Sequence, residues 1–129
     1  MVALLFATDY VLIPVAPDGR SIRGALHMAE TVAQVAQANA GSNPQLLGYV
    51  LNQIDLRRVG DRSALDAARD QFGPLLFDAI IPWDIDVRYA QEAQRDVYHV
   101  AGTKAGSLAL VRLVAETVRR IQRRESQKG

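Results

Sequence analysis

The 129-residue sequence contains no cysteine. That excludes disulfides, thiolate nucleophiles and cysteine-ligated zinc or iron–sulfur centres, and it fits a reducing compartment. Histidine is nearly as scarce: His27 falls within a helical pattern and His99 within a short apolar stretch. Two imidazoles make a poor metal site, and neither belongs to a Ser–His–Asp arrangement, so both read as structural. The longest apolar runs are about six residues, against about 20 needed to span a bilayer. The N-terminus, Met-Val-Ala-Leu-Leu-Phe-Ala-Thr, has no basic region of the kind that opens a signal peptide. Net charge is only +1, so no global polyelectrolyte field points to a partner. Gly-Lys-Ser, Gly-Lys-Thr and Gly-x-Gly-x-x-Gly are all absent, and with them the usual backbone cradles for phosphate. The expected setting is the cytoplasm.

What is present is a globular composition, with 49% hydrophobic and 22% charged residues in a length suited to one domain. Three β-rich runs stand out: 9–15, 46–53 opened by Asn43-Pro44, and 75–81 opened by Gly73-Pro74 and closed by Pro82. Each is nearly continuous in apolar residues, as strands covered on both faces are. Pro14 is discordant, because proline donates nothing to a ladder and prefers edges or strand ends. Helical patterns separate the runs. Ser21 is placed to cap a helix reaching Ala38, with Gly41 as its stop. A second helix is expected from Ser63, burying Leu65, Ala68 and Phe72 and stopping at Gly73. A third is expected over 103–124, with Leu108, Val111, Val114, Ala115, Val118 and Ile121 as its core stripe. Arg112, Glu116, Arg119, Arg120 and Arg123 fall off that stripe.

This alternation implies βαβ crossovers and one α/β domain over 1–129, a parallel sheet with helices on both faces. Residues 125–129 read as a disordered tail, Val97–Val100 as a possible fourth strand piece, and residues 1–8 as the end of a helix leading into the first strand. Three strands make a small sheet with an unpaired edge, so the chain reads as the second half of a larger fold. Charge is unevenly spread: Arg112 to Gly129 carries +4 and the preceding residues −3. Such an end suits an anionic partner, and it equally suits a solvated helix terminus.

Ligands of open α/β sheets bind beyond the carboxyl ends of the strands. The loops there begin Ala16-Pro-Asp-Gly-Arg-Ser, Asn52-Gln-Ile-Asp and Pro82-Trp-Asp-Ile-Asp. Asp84 and Asp86 read most simply as turn and cap residues. Ala7-Thr-Asp-Tyr-Val-Leu-Ile-Pro-Val-Ala-Pro-Asp18 with Ser21-Ile-Arg-Gly24 is similar to the middle of ParA-type partition ATPases. Leu47-Gly-Tyr-Val-Leu-Asn-Gln-Ile-Asp55, Ile81-Pro-Trp-Asp-Ile-Asp-Val-Arg-Tyr-Ala90 and Thr103-Lys-Ala-Gly106 resemble that ParA/MinD (deviant Walker) class in the same order. The Gly-x-Pro that usually follows the Ile-Pro segment is replaced by Gln94-Arg95-Asp96.

The resemblance implies a partial P-loop NTPase (SIMIBI-type) fold lacking the N-terminal P-loop half. It implies ATP and Mg2+ as cofactors of the full-length family, with neither bound tightly by this chain alone and no catalytic residue within it. Asn52 matches the adenine-recognising position, although asparagine at a strand end also serves as a turn former. Pro82, Trp83 and Asp84 match the segment along the base, and Trp83 equally suits core or surface. Arg69 and Arg88 match positions that contact DNA without sequence preference, with Arg119, Arg120 and Arg123 adding to the field. Arg69 beside Asp66 and Asp70 also reads as an ordinary exposed helix residue. The implied partners are non-specific DNA, a ParB-like protein, and a second copy or the missing N-terminal half. The implied location is the nucleoid, with no membrane attachment. Two alternatives remain, a nucleotide-independent DNA-binding or self-associating module and a MinD-like placement regulator.

Overall fold

A computed structural model describes residues 2–83 and 105–128. Asp84, Asp86, Arg88, His99 and the segment Val97–Val100 lie outside the described residues. The elements in chain order are α1 (Val2–Phe6), β1 (Tyr10–Val15), α2 (Gly19–Ala38), β2 (Gln45–Ile54) and α3 (Val59–Phe72). A 3-10 turn at Gly73–Leu75 leads into β3 (Leu76–Pro82), and α4 spans Ala105–Lys128. The strands form a parallel sheet in the order β1-β2-β3, the partial P-loop NTPase-like arrangement with flanking helices that the sequence implies. Pro14 lies exposed on β1, an edge strand among the described residues, where its missing N–H costs no ladder bond.

Alternation along each strand feeds two apolar clusters, one on each face of the sheet. Ile13, Val15, Tyr49, Leu51 and Ile54 pack against Ile22 and Ala25 of α2 and Ala68 and Phe72 of α3. Tyr49 and Phe72 stack with ring centroids 3.9 Å apart. Leu47, Val50, Phe77 and Ile81 point the other way, toward Ala109, Leu110, Leu113 and Ile121 of α4. Both crossover helices therefore cover one face, and α4 covers the other.

Gly48 is required where β2 passes the start of β3. A Cβ there would lie 2.3 Å from the Leu75 carbonyl oxygen and 2.8 Å from Phe77 Cε1. Opposite this point the β2–β3 register slips: Tyr49 pairs with Leu76 and Leu51 with Ile80, so β3 bulges.

Several boundaries differ from the sequence expectation. Asp18, not Ser21, caps α2: its carboxylate accepts the Ser21 N–H at 2.7 Å and the Ser21 hydroxyl at 3.0 Å. α3 begins at Val59, a turn before Ser63, because the buried Asp61 carboxylate accepts the Asp55 N–H at 2.8 Å and fixes the preceding loop. α4 continues through Lys128, past the expected end at Arg124. Residues 125–128 are held in the helix as Glu125 accepts a hydrogen bond from Tyr10 and pairs with Lys128 at 3.3 Å.

The larger correction concerns which face of α4 is buried. Leu108, Val111, Val114 and Val118, expected in the core, are 40–63% exposed. The sheet-facing side carries Ile121 as expected, but otherwise Ala109, Leu110 and Leu113 together with Glu116 and Arg120. The reason lies in the bulge. Glu116, 5% exposed, accepts the backbone N–H groups of Asp78 at 3.0 Å and Ala79 at 2.8 Å. Arg120 pairs with Glu116 at 2.9 Å, donates to the Pro74 and Leu76 carbonyls, and stacks on Phe77 with its guanidinium carbon 4.1 Å from the ring centroid. One ion pair thus satisfies four backbone groups, three of β3 and the Pro74 carbonyl of the turn before it.

Candidate functional site

The parallel strands bring the starts of the three loops identified from the sequence to one end of the sheet. A cleft of about 420 Å³ opens there between β1, the end of β2 and the first turns of α2. Its wall is largely apolar, with Ile13, Pro14 and Val15 on one side and Ala25 and Met28 on the other. Asn52 and Ser21 contribute its polar side chains. Asn52 is held in place locally: its Oδ1 accepts the Gln53 N–H at 3.0 Å, which leaves the amide NH2 free to donate. Gln53 adopts φ 58°, a left-handed conformation that costs a non-glycine residue on the order of 1–2 kcal/mol. The strained residue lies directly beside the amide it orients.

Pro82 pairs with Ile54 at the adjoining end of β3, and the Trp83 N–H donates to the Ile54 carbonyl at 2.8 Å. Trp83 is half exposed, at 52%. Asn52, Pro82 and Trp83 therefore share the carboxyl end of the sheet. Only Asn52 lines the cleft; Pro82 and Trp83 stand on the β3 side of it.

The volume falls within the range of small-ligand pockets. An oriented amide beside an apolar wall suits a flat heteroaromatic ring carrying both donor and acceptor edges. Among the described residues no lysine or arginine lines the cleft, so those present do not fit a triphosphate. Among the described residues no group of three metal-ligating side chains occurs, so they offer no magnesium cage either.

The loop after β2 carries charge that sequence reading passed over. Arg57 grips Asp55 through its Nε at 2.9 Å and its NH2 at 2.9 Å. The side-chain hydrogen bonds from Arg57 hold the Asp55 carboxyl below its ordinary value, and the same contact raises Arg57. Asp18 is likewise lowered by the hydrogen bonds it accepts from Ser21. An Asp placed two residues before an Arg in a turn was a readable signal for the first, and an Asp-Gly before a helix for the second.

Among the described residues, the arginines expected to meet DNA do not form one patch. Arg69 is exposed in the last turn of α3 and lies 3.8 Å from Asp66. Arg119 and Arg123 are exposed on α4, across the sheet from α3. Arg120 is committed to the β3 edge and Glu116. Arg88, like Asp84, lies outside the described residues. No described helix is long and apolar enough to cross a membrane.

No protein-family model matches the chain. It is similar to the chromosome-partitioning ATPase Soj of Thermus thermophilus, with 28% identity over 120 residues, 92% of this chain and 47% of that protein. It is also similar to the chromosome partitioning protein ParA of Caulobacter vibrioides, at 27% over 122 residues, 93% of this chain and 45% of that one. A shorter stretch of 57 residues is 44% identical to Protein IncC of Escherichia coli, covering 44% of this chain and 15% of IncC. The chain thus spans less than half the length of each of these relatives. The similarity supports a loose relationship to partition ATPases.

Proposed function

We propose that this chain is the C-terminal portion of a ParA-like ATPase for plasmid or chromosome partitioning. In this reading it supplies adenine-side contacts and a share of the non-specific DNA surface, and it performs no catalysis by itself. The observation that carries it is the pairing of extent with placement. Similarity runs over more than nine-tenths of the chain but less than half of Soj or ParA, and Asn52 stands oriented at the carboxyl end of β2 in a cleft. Asn52 holds the purine edge, donating from its amide to a ring nitrogen. Pro82, Trp83 and Asp84 follow the base along the β3 side.

ATP bound to the whole protein would supply the phosphoryl group and magnesium its charge neutralisation. The residues lining the cleft suit the base rather than the phosphates, and Gly-Lys-Ser/Thr is absent from the sequence. Arg69 and Arg88 contact DNA phosphates. A ParB-like protein is the regulatory partner, and the protein works at the nucleoid in the cytoplasm.

The single tryptophan makes the adenine contact measurable. Titrating millimolar adenosine into the chain is expected to change Trp83 fluorescence saturably, and Asn52→Ala is expected to weaken the response severalfold. Equal responses to adenosine and cytidine, or an unchanged response in Asn52→Ala, would remove the adenine assignment. Magnesium-dependent ATP hydrolysis by the pure chain would contradict the non-catalytic reading.

A second reading rests on β1. Its outer edge has no strand partner among the described residues, which favours a module that pairs with another copy or with a separate N-terminal half. Light scattering over the micromolar range distinguishes the two, since only pairing with itself raises the mass with concentration.

A further inference from the structure

The exposed side of α4 is both apolar and one-signed in charge. Leu108, Val111, Val114 and Val118 are 40–63% exposed and recur at helical spacing, forming a stripe about 15 Å long. Arg112, Arg119 and Arg123 border it on one side, exposed and without an ion pair among the described residues. Between Ala105 and Arg124 the helix has one acidic residue, Glu116, and that one is buried against β3. The exposed face therefore presents an aliphatic ridge with three uncompensated cations.

From this face we infer a docking site for an acidic amphipathic helix of another protein, its own apolar stripe flanked by Asp or Glu. Charge selects the occupant. A second copy would set three arginines against three, which disfavours self-pairing through this surface. A bilayer is a poor match, because interfacial helices carry Trp, Phe or Leu on the apolar face and this stripe has one leucine and no aromatic residue. A duplex would use the arginines and leave the ridge in water. An acidic helix answers both features, packing its apolar stripe against this ridge helix on helix. The stripe's length places the contact near or below the smallest stable interfaces, so micromolar affinity is expected. This inference does not depend on the partition reading, and its failure would leave that reading standing.

The test is fluorescence anisotropy of a labelled synthetic helical peptide with leucines at stripe spacing and glutamates on both flanks, titrated with the intact chain. A control peptide carries lysines in place of the glutamates. The acidic peptide is expected to bind in the micromolar range and the lysine peptide at least tenfold more weakly. Combined Val111→Glu and Val118→Glu substitution is expected to weaken binding at least tenfold. Replacing Arg112, Arg119 and Arg123 by glutamine is expected to weaken it severalfold and to flatten its salt dependence. All these positions are on the surface, and circular dichroism checks that each variant stays folded. No binding of the acidic peptide, equal binding of the lysine peptide, or unchanged binding by the Val111→Glu, Val118→Glu chain overturns the proposal. So does a stripe-dependent self-association, or stripe-dependent capture by phosphatidylglycerol vesicles.

Discussion

Replacing Glu116 with alanine isolates the contact that closes the β3 edge. The carboxylate accepts two backbone N–H groups, from Asp78 and Ala79, and holds Arg120 at 2.9 Å. The variant leaves the buried Ala79 amide without a partner, which costs about 1–3 kcal/mol. Asp78 is exposed and its amide recovers water in part. Arg120 loses its counter-ion but keeps the Pro74 and Leu76 carbonyls and some solvent. Breaking a buried pair costs about 3–5 kcal/mol, and the retained partners of Arg120 favour the lower end, about 3 kcal/mol. Against a total of roughly 6–19 kcal/mol for a domain of this length, that is a large fraction. In urea, with a slope of about 2 kcal/mol/M, the unfolding midpoint should fall by about 1.5 M. The double-mutant cycle with Arg120→Ala should be non-additive by about 1 kcal/mol or more, because both side chains serve one bulge. Glu125→Ala, which removes only exposed contacts to Tyr10 and Lys128, should leave the midpoint in place. A midpoint shift below about 0.3 M for Glu116→Ala, with the slope unchanged, would refute the bulge-capping account.

Gly48→Ala drives a Cβ to within 2.3 Å of a backbone oxygen; overpacking of this kind costs about 1–3 kcal/mol or more, and thermal unfolding should show the loss. Asp18→Ala should lower the melting temperature by removing the α2 cap. Because the folded Asp18 carboxyl is lowered, its contribution is complete above the unfolded carboxylate value and is lost as pH falls through the folded one. The gap between Asp18→Ala and the parent should therefore close in strong acid, and a pH-independent gap would contradict the capping role.

Much of the fold could be read from the chain because its strands are apolar on both faces and its punctuation is strong. Gly73 ended α3 as expected, with φ 54°. Pro14, which suits an edge or a strand end, lies exposed on β1, an outer strand of the described sheet. The failures are equally physical. Helical periodicity picked out Val111, Val114 and Val118 with Ile121 as a core stripe, and only Ile121 packs inward, because α4 has a second apolar side at Ala109, Leu110 and Leu113. The choice between them was made by unpaired amides in a β3 bulge that no periodicity reveals. Arg120 read as a surface cation for the same reason: its partners are backbone carbonyls 44 and 46 residues away. At the cleft, Asn52 was legible as a polar residue closing an apolar strand. The left-handed Gln53 that orients it was not, since nothing in its side chain favours φ 58°.

The central claim, a ParA-like C-terminal portion that retains part of a DNA surface, is tested most directly by anisotropy with random duplex DNA over a salt series, with and without ATP. Two phosphate contacts, from Arg69 and Arg88, predict a slope of log affinity against log salt of about −2. The account predicts that slope with or without ATP, and its collapse toward zero when both arginines are replaced by alanine. Binding that ignores salt, or that survives the double replacement unchanged, would contradict it.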